Sequence, residues 1–145
     1  MILVLAAVAL LSQDPATEPD CDNALSTLDM NACAARDVQA EEARMNQYLD
    51  AAVTVLRAEA ESPELAEQVV VELRASQQKW VDYAQSACAT VYTRWQGGSI
   101  RNLMALTCRE QLTQERSHAI WSGYIAGITD EETILPEPKA FLSAR

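Results

Sequence analysis

The chain has 145 residues, 21 acidic against 11 basic side chains, a net charge of −10, four cysteines and a single histidine. An acid excess of this size argues against nucleic-acid binding, which needs clustered Lys and Arg to neutralise phosphates. One histidine leaves at most one base for a Ser-His-Asp or Cys-His arrangement.

The first eleven residues, Met1 to Leu11, are an unbroken apolar run that gives way to Ser12-Gln13-Asp14-Pro15. This is the pattern of a secretory signal peptide, assigned to residues 1–12 with its end between 9 and 20, although no Lys or Arg precedes the run. At eleven residues it is too short for a membrane span of about 20, and no later stretch is long and apolar enough, so stable membrane insertion is not expected. A lipid anchor is not expected either, because Cys21 follows Glu18-Pro19-Asp20 rather than small and apolar residues. The remaining chain of about 125 to 135 residues is the size of one domain that buries roughly two thirds of its unfolded surface. Its expected location is periplasmic or secreted.

Residues 13–25 are polar and proline-bearing, a flexible lead-in tied down at Cys21. Ser26-Thr27-Leu28-Asp29 fits a capping box and predicts a helix from there to about Glu59, with Val38, Met45, Leu49, Ala52, Val53 and Leu56 forming an apolar stripe. Ser62-Pro63-Glu64 is a second start signal: serine at the cap, proline where its missing N–H costs nothing, and an acid at the positive helix end. The stripe that follows is Leu65, Val69, Leu73, Trp80, Ala84, Cys88, Val91 and Trp95. It stops at Gly97-Gly98, a helix stop and tight turn. Ser99 is placed to cap a third helix with Ile100, Leu103, Met104, Leu112, Ile120 and Trp121 on its apolar side. Gly123 and Gly127 weaken its end, and Pro136 and Pro138 mark an irregular tail, 128–145. The domain is therefore assigned to 21–127.

Cys88 and Cys108 lie ten residues either side of Gly98. On two helices leaving that turn, a rise of about 1.5 Å per residue puts both sulfurs at the same height. Axes about 8 to 10 Å apart bring facing Cα atoms within the range a disulfide requires. Pairing them leaves Cys21 for Cys33; spacing alone allows two other connectivities. Each short loop so closed is worth about 3 kcal/mol if unstrained, on an entropic account that is disputed. The fold class expected is all-α: a small antiparallel three-helix bundle or hairpin stapled by two disulfides.

The acid is concentrated early: residues 13–26 carry four acids and no base, and residues 27–61 carry seven acids and three bases. Such a surface steers association with a basic partner, although solubility alone explains surplus acid more simply. Catalytic chemistry finds little support. Glu41-Glu42 and Asp130-Glu131-Glu132 read as solvated charge runs, Glu115-x-x-His118 is half of a di-iron motif that one such pair cannot complete, and no glycine-rich phosphate loop precedes a Lys-Ser or Lys-Thr. With no C-x-x-C and one histidine, neither a metal site nor a cofactor is expected, and the chain is not read as an enzyme. Asn31, Asn46, Gln77, Trp80, Tyr83, Thr113 and Arg116 stand out instead, polar or amphipathic groups within helices and near the apolar stripes. They form either an interhelical network that fixes register, the simpler assignment, or a partner-binding groove anchored by Trp80 and Arg116.

The same residues carry a resemblance. Cys21-Asp22-Asn23-Ala24, Met30-Asn31-x-Cys33-Ala34, Met45-Asn46-x-Tyr48, Leu73-x3-Gln77-x2-Trp80-x2-Tyr83-x4-Cys88, Gly97-Gly98-Ser99 and Cys108-x3-Leu112-Thr113-x2-Arg116 resemble the lysozyme inhibitor LprI-like family, long classed as a domain of unknown function, over about residues 21–120. Two departures are visible. Ala84-Gln85 stand where the family often has Arg-Asp, and the spacing before Tyr48 is one residue short. The resemblance implies an exported, disulfide-bonded helical binding module whose partner is a basic protein such as lysozyme. The alternative is an envelope interaction or structural protein without inhibitory activity. Oligomeric state is not legible.

Overall fold

The computed structural model describes residues 19–127 and 135–138, so the expected leader and most of the expected tail lie outside the described residues. Three helices follow in chain order: α1 Thr27–Glu59, α2 Pro63–Arg94 and α3 Arg101–Tyr124. Side-chain contacts set their directions. Arg57 meets Glu67 at 3.0 Å across the first turn, and Cys88 is bonded to Cys108 across the second, so consecutive helices are antiparallel. Helices α1 and α3 therefore run parallel, and theirs is the most extensive interface; that of α1 with α2 is the least. Among the described residues the architecture is a three-helix bundle rather than a lone hairpin.

The helix starts follow capping chemistry. At α1 the Asp29 amide donates to Ser26 Oγ at 3.0 Å, while the Ser26 hydroxyl donates to the Asp29 carboxylate at 2.7 Å. The acid thus closes the box through the hydroxyl, not through the serine amide. At α2 the Leu65 amide donates to Ser62 Oγ, and Glu64 is held below the usual carboxylate range by its own backbone N–H and then by Ser62. The third start departs from expectation: Ser99 belongs to the turn, the cap position is Ile100, and no side chain caps α3. The turn itself is tight, with the Gly98 amide donating to the Trp95 carbonyl at 2.8 Å, and the hairpin geometry rather than a serine cap fixes where α3 begins. At the far end of α3, Gly127 has φ +89°, a conformation that side chains with a Cβ rarely adopt, and it terminates the trailing turn.

Apolar burial is concentrated toward one end. Met45, Tyr48, Leu49, Ala52 and Val53 of α1, Val70 and Leu73 of α2, and Ile120 with Ile125 at the end of α3 make one core. The α1 stripe holds as expected, with Tyr48 and Cys33 added to it. The first turns of α2 are rotated by one residue: Ala66 and Val70 are buried, while Leu65 is 41% exposed. Helix geometry accounts for this: Ala66 stands seven residues, close to two turns, before Leu73 and shares its face, whereas Leu65 stands eight before it and lies about 80° round the helix. At the opposite end the buried side chains are few and small, namely Cys33, Val38, Ala84 and Cys88. Trp95, expected to finish the α2 stripe, lies at the turn and is partly exposed.

Both disulfides sit at that thinner end. Cys21 is bonded to Cys33 and Cys88 to Cys108, each pair with Cα atoms 5.6 Å apart. Beyond α3, the described residues 135–138 return to the core end: Leu135 packs on the core, Pro138 is buried, and the Tyr48 hydroxyl donates to the Pro136 carbonyl at 2.6 Å. Burial raises the Tyr48 pKa, consistent with a phenol kept neutral as a donor.

Because the core does not reach the hairpin end, that end should depend most on its covalent link. Replacing Cys88 and Cys108 with serine is expected to cost about 3 kcal/mol. Amide hydrogen exchange should show protection lost first in residues 84–108 while residues 45–53 stay protected. Uniform loss along all three helices would contradict this division.

Candidate functional site

The buried polar groups gather halfway along the bundle, where α2 crosses both neighbours. Gln77 points inward because it falls on the stripe that joins Leu73 to Ala84, and it is buried. Its amide nitrogen lies 3.5 Å from Met45 Sδ of α1, and its Oε1 accepts a 2.9 Å bond from Arg116 Nε of α3. A second guanidinium nitrogen of Arg116 donates to Ser76 Oγ at 3.2 Å. One glutamine thus touches all three helices. Burial lowers the Arg116 pKa, but guanidinium stays cationic at any ordinary pH, so the contact is a charge-assisted bond to a neutral acceptor. Among the described residues it forms no ion pair, which makes the amide oxygen of Gln77 its principal compensation.

One turn along, Trp80 packs on the core's edge beneath the Arg109 guanidinium, 5.2 Å from the ring centroid. Arg109 Nε donates to Glu42 Oε1 at 2.8 Å, bridging α3 to α1 in a partly buried ion pair. This corrects the reading of Glu41-Glu42 as a solvated charge run. Glu42 falls on the Val38–Met45–Leu49 stripe, and that position was the signal for its role. Arg109 was missed likewise, although it shares a face with Thr113 and Arg116.

The other candidates scatter. Thr113 is fully buried, but its hydroxyl donates to the Arg109 carbonyl within its own helix. Asn31 is half-buried near Cys33, with its Oδ1 buried and unbonded among the described residues. Asn46 faces solvent and Tyr83 is 59% exposed. The structure therefore brings together Gln77 and Arg116, sets Trp80 beside them, and leaves Asn31, Asn46 and Tyr83 apart. Of the pair standing where Arg-Asp was expected, Ala84 is fully buried and Gln85 is exposed. The Glu115–His118 spacing joins no shared site: Glu115 accepts from Gln111, and His118 faces Glu137 at 3.2 Å.

Acidic groups converge on the α1–α3 face. Glu110 of α3 has its pKa raised first by burial and then by the nearby charges of Asp37 and Glu41 of α1. Glu41 in turn accepts a 2.7 Å bond from Arg44. Asp37 likewise pairs with Arg36 at 3.2 Å, so arginines partly balance the carboxylates of this face. Among the described residues no three His, Cys, Asp or Glu side chains are grouped to hold a metal ion, and no helix is long and apolar enough to cross a membrane.

Two measurements check this geometry. A double-mutant cycle with Gln77→Leu and Arg116→Met should give a coupling of about 1–3 kcal/mol, each single variant costing more than the pair because it strands a buried polar partner. Additive losses would mean the two groups do not depend on each other. For Glu110, a folded pKa above the ordinary value means the folded state holds the proton more tightly. The ionised group therefore destabilises at neutral pH, and that penalty fades as pH falls through the folded pKa toward the unfolded value. Glu110→Gln should raise the melting temperature by about 1–3 °C at pH 7 and leave it unchanged near pH 4. A gain of equal size at both pH values would contradict that sign.

An uncharacterised protein of Rhizobium meliloti (strain 1021) is 28% identical over 120 residues, covering 80% of this chain and 85% of its own length. No solved structure gives a significant match. The family model described as lysozyme inhibitor LprI matches residues 21–119, a span that begins at the first cysteine, contains both disulfides and the Gln77–Arg116 contact, and ends within α3. The chain belongs to the LprI lysozyme inhibitor family.

Proposed function

We propose that this chain is an exported helical binding module that inhibits a lysozyme-type muramidase, docking its acidic α1–α3 face on a basic enzyme. The observation that carries the reading is the convergence of Asp37, Glu41 and Glu110 on one face of a protein whose family is named for lysozyme inhibition. Complementary charge of this kind chiefly raises the association rate, so inhibition is sensitive to ionic strength. Two disulfides and the absence of free cysteines suit an oxidising compartment, periplasmic or extracellular. The module acts by occlusion rather than by chemistry of its own.

A second reading, a non-inhibitory envelope interaction or structural protein, is favoured by one observation: the Gln77–Arg116 contact is internal, tying helices together rather than presenting groups outward.

A lysis assay separates the two. Oxidised protein should inhibit a basic lysozyme at low salt, less at physiological salt, and the isosteric, charge-removing pair Asp37→Asn with Glu41→Gln should weaken inhibition about tenfold or more while melting stays close to that of the parent. No inhibition at tens of micromolar protein in either salt would remove the inhibitor reading and leave the second.

A further inference from the structure

At the disulfide-bridged end the charge balance of the molecule reverses. From residue 83 to residue 109 the chain has three arginines, Arg94, Arg101 and Arg109, and no acid, within a protein of net charge −10. Arg101 stacks over Tyr92 at 5.2 Å from the ring centroid, and among the described residues neither Arg94 nor Arg101 forms an ion pair. An open trough of about 480 Å³ runs along the α2–α3 hairpin, walled by Val81, Ala84, Cys88, Ala89, Tyr92 and Ala105, with Arg101 stacked on its Tyr92 wall. Its surface is mostly apolar, with Arg109 at its lower edge. A second hollow on α2 shares Ala89 and reaches Arg94.

The complementary shape lies on the same end of the same chain. Glu42 of α1 pairs with Arg109 of α3 on parallel helices, so Cys33, nine residues earlier, is level with the 95–100 turn. The segment that Cys33 anchors through Cys21 holds Leu25 89% exposed and Leu28 77% exposed, the two most exposed large apolar side chains described. Asp20, Asp22 and Asp29 surround them, none in an ion pair among the described residues. The disulfide and the Ser26–Asp29 cap hold this acidic, leucine-tipped knob in place, so its ordering cost is already met before any contact forms. The leucines do not fill their own trough, as their exposure shows.

We propose that two copies of this chain associate through these ends, the Leu25–Leu28 knob of one entering the α2–α3 trough of the other, with Asp20, Asp22 and Asp29 facing Arg101 at the rim of the trough. Knob and trough share one end, so a two-fold axis pairs both knobs with both troughs and closes the assembly at two copies. The contact is small, which places it among weak, reversible interfaces. It is independent of the acidic α1–α3 face and stands or falls apart from lysozyme inhibition.

Sedimentation velocity on the oxidised protein, from about 1 to 500 µM, tests it in a range suited to weak interfaces. A monomer–dimer equilibrium is expected, weakened about tenfold or more by 0.5 M salt. Leu25→Asp with Leu28→Asp should weaken it at least as much, and so should Arg101→Glu. All three side chains are exposed, so melting temperatures should stay close to that of the parent and report that the fold is intact. A monomer at every concentration and salt would overturn the proposal, as would a dimer that neither variant disturbs.

Discussion

The Cys88–Cys108 bond closes the bundle where hydrophobic packing thins out. Toward the other end Met45, Leu49, Val53, Val70, Leu73 and Ile120 bury enough surface to hold three helices together. At the hairpin end the interior is mostly alanine and cystine, and small side chains bury little area each. A helix pair that cannot be held by apolar burial can be held by restricting the unfolded chain, which is what a cross-link of twenty residues does. Everything exposed at that end, including the trough and the arginines around it, rests on this covalent support.

Between the two ends lies the polar waist formed by Gln77, Arg116, Glu42 and Arg109. Its groups are partly buried and bonded across helices, so sliding any helix by a turn breaks several bonds at once. Apolar stripes tolerate such slips more readily, because one leucine contact resembles the next. The waist therefore supplies register, the core supplies most of the driving force, and the disulfides hold what neither reaches.

Much of the fold was legible because its signals are local. Ser26 and Ser62 announced two helix starts through side-chain bonds made within three residues, and the Cys88–Gly98–Cys108 spacing announced the hairpin through rise per residue alone. The errors have separate causes. Ser99 looked like a cap, but the hairpin turn absorbed it. Leu65 looked like core because steps of four lead from it to Leu73, but over two turns the helix repeats nearer seven residues, which puts Ala66 inside instead. The site was less legible than the fold. Gln77 and Arg116, picked out as polar groups near the stripes, meet each other, yet Asn46 and Tyr83, picked out on the same grounds, face water, because a helical stripe says only roughly which side is inside. Glu42 and Arg109 were overlooked for the converse reason: formal charge masked their place on the buried face.

The disulfides join cysteines in chain order, first to second and third to fourth. Each bridge closes within a local unit, a twelve-residue segment or one hairpin, and neither encloses nor crosses the other. A chain threaded N-terminus first past an oxidase therefore presents each cysteine with its proper mate before any competitor, provided Cys33 emerges and reacts before Cys88 arrives. Correct pairing then needs no isomerase, and the oxidised form is reachable by oxidation alone.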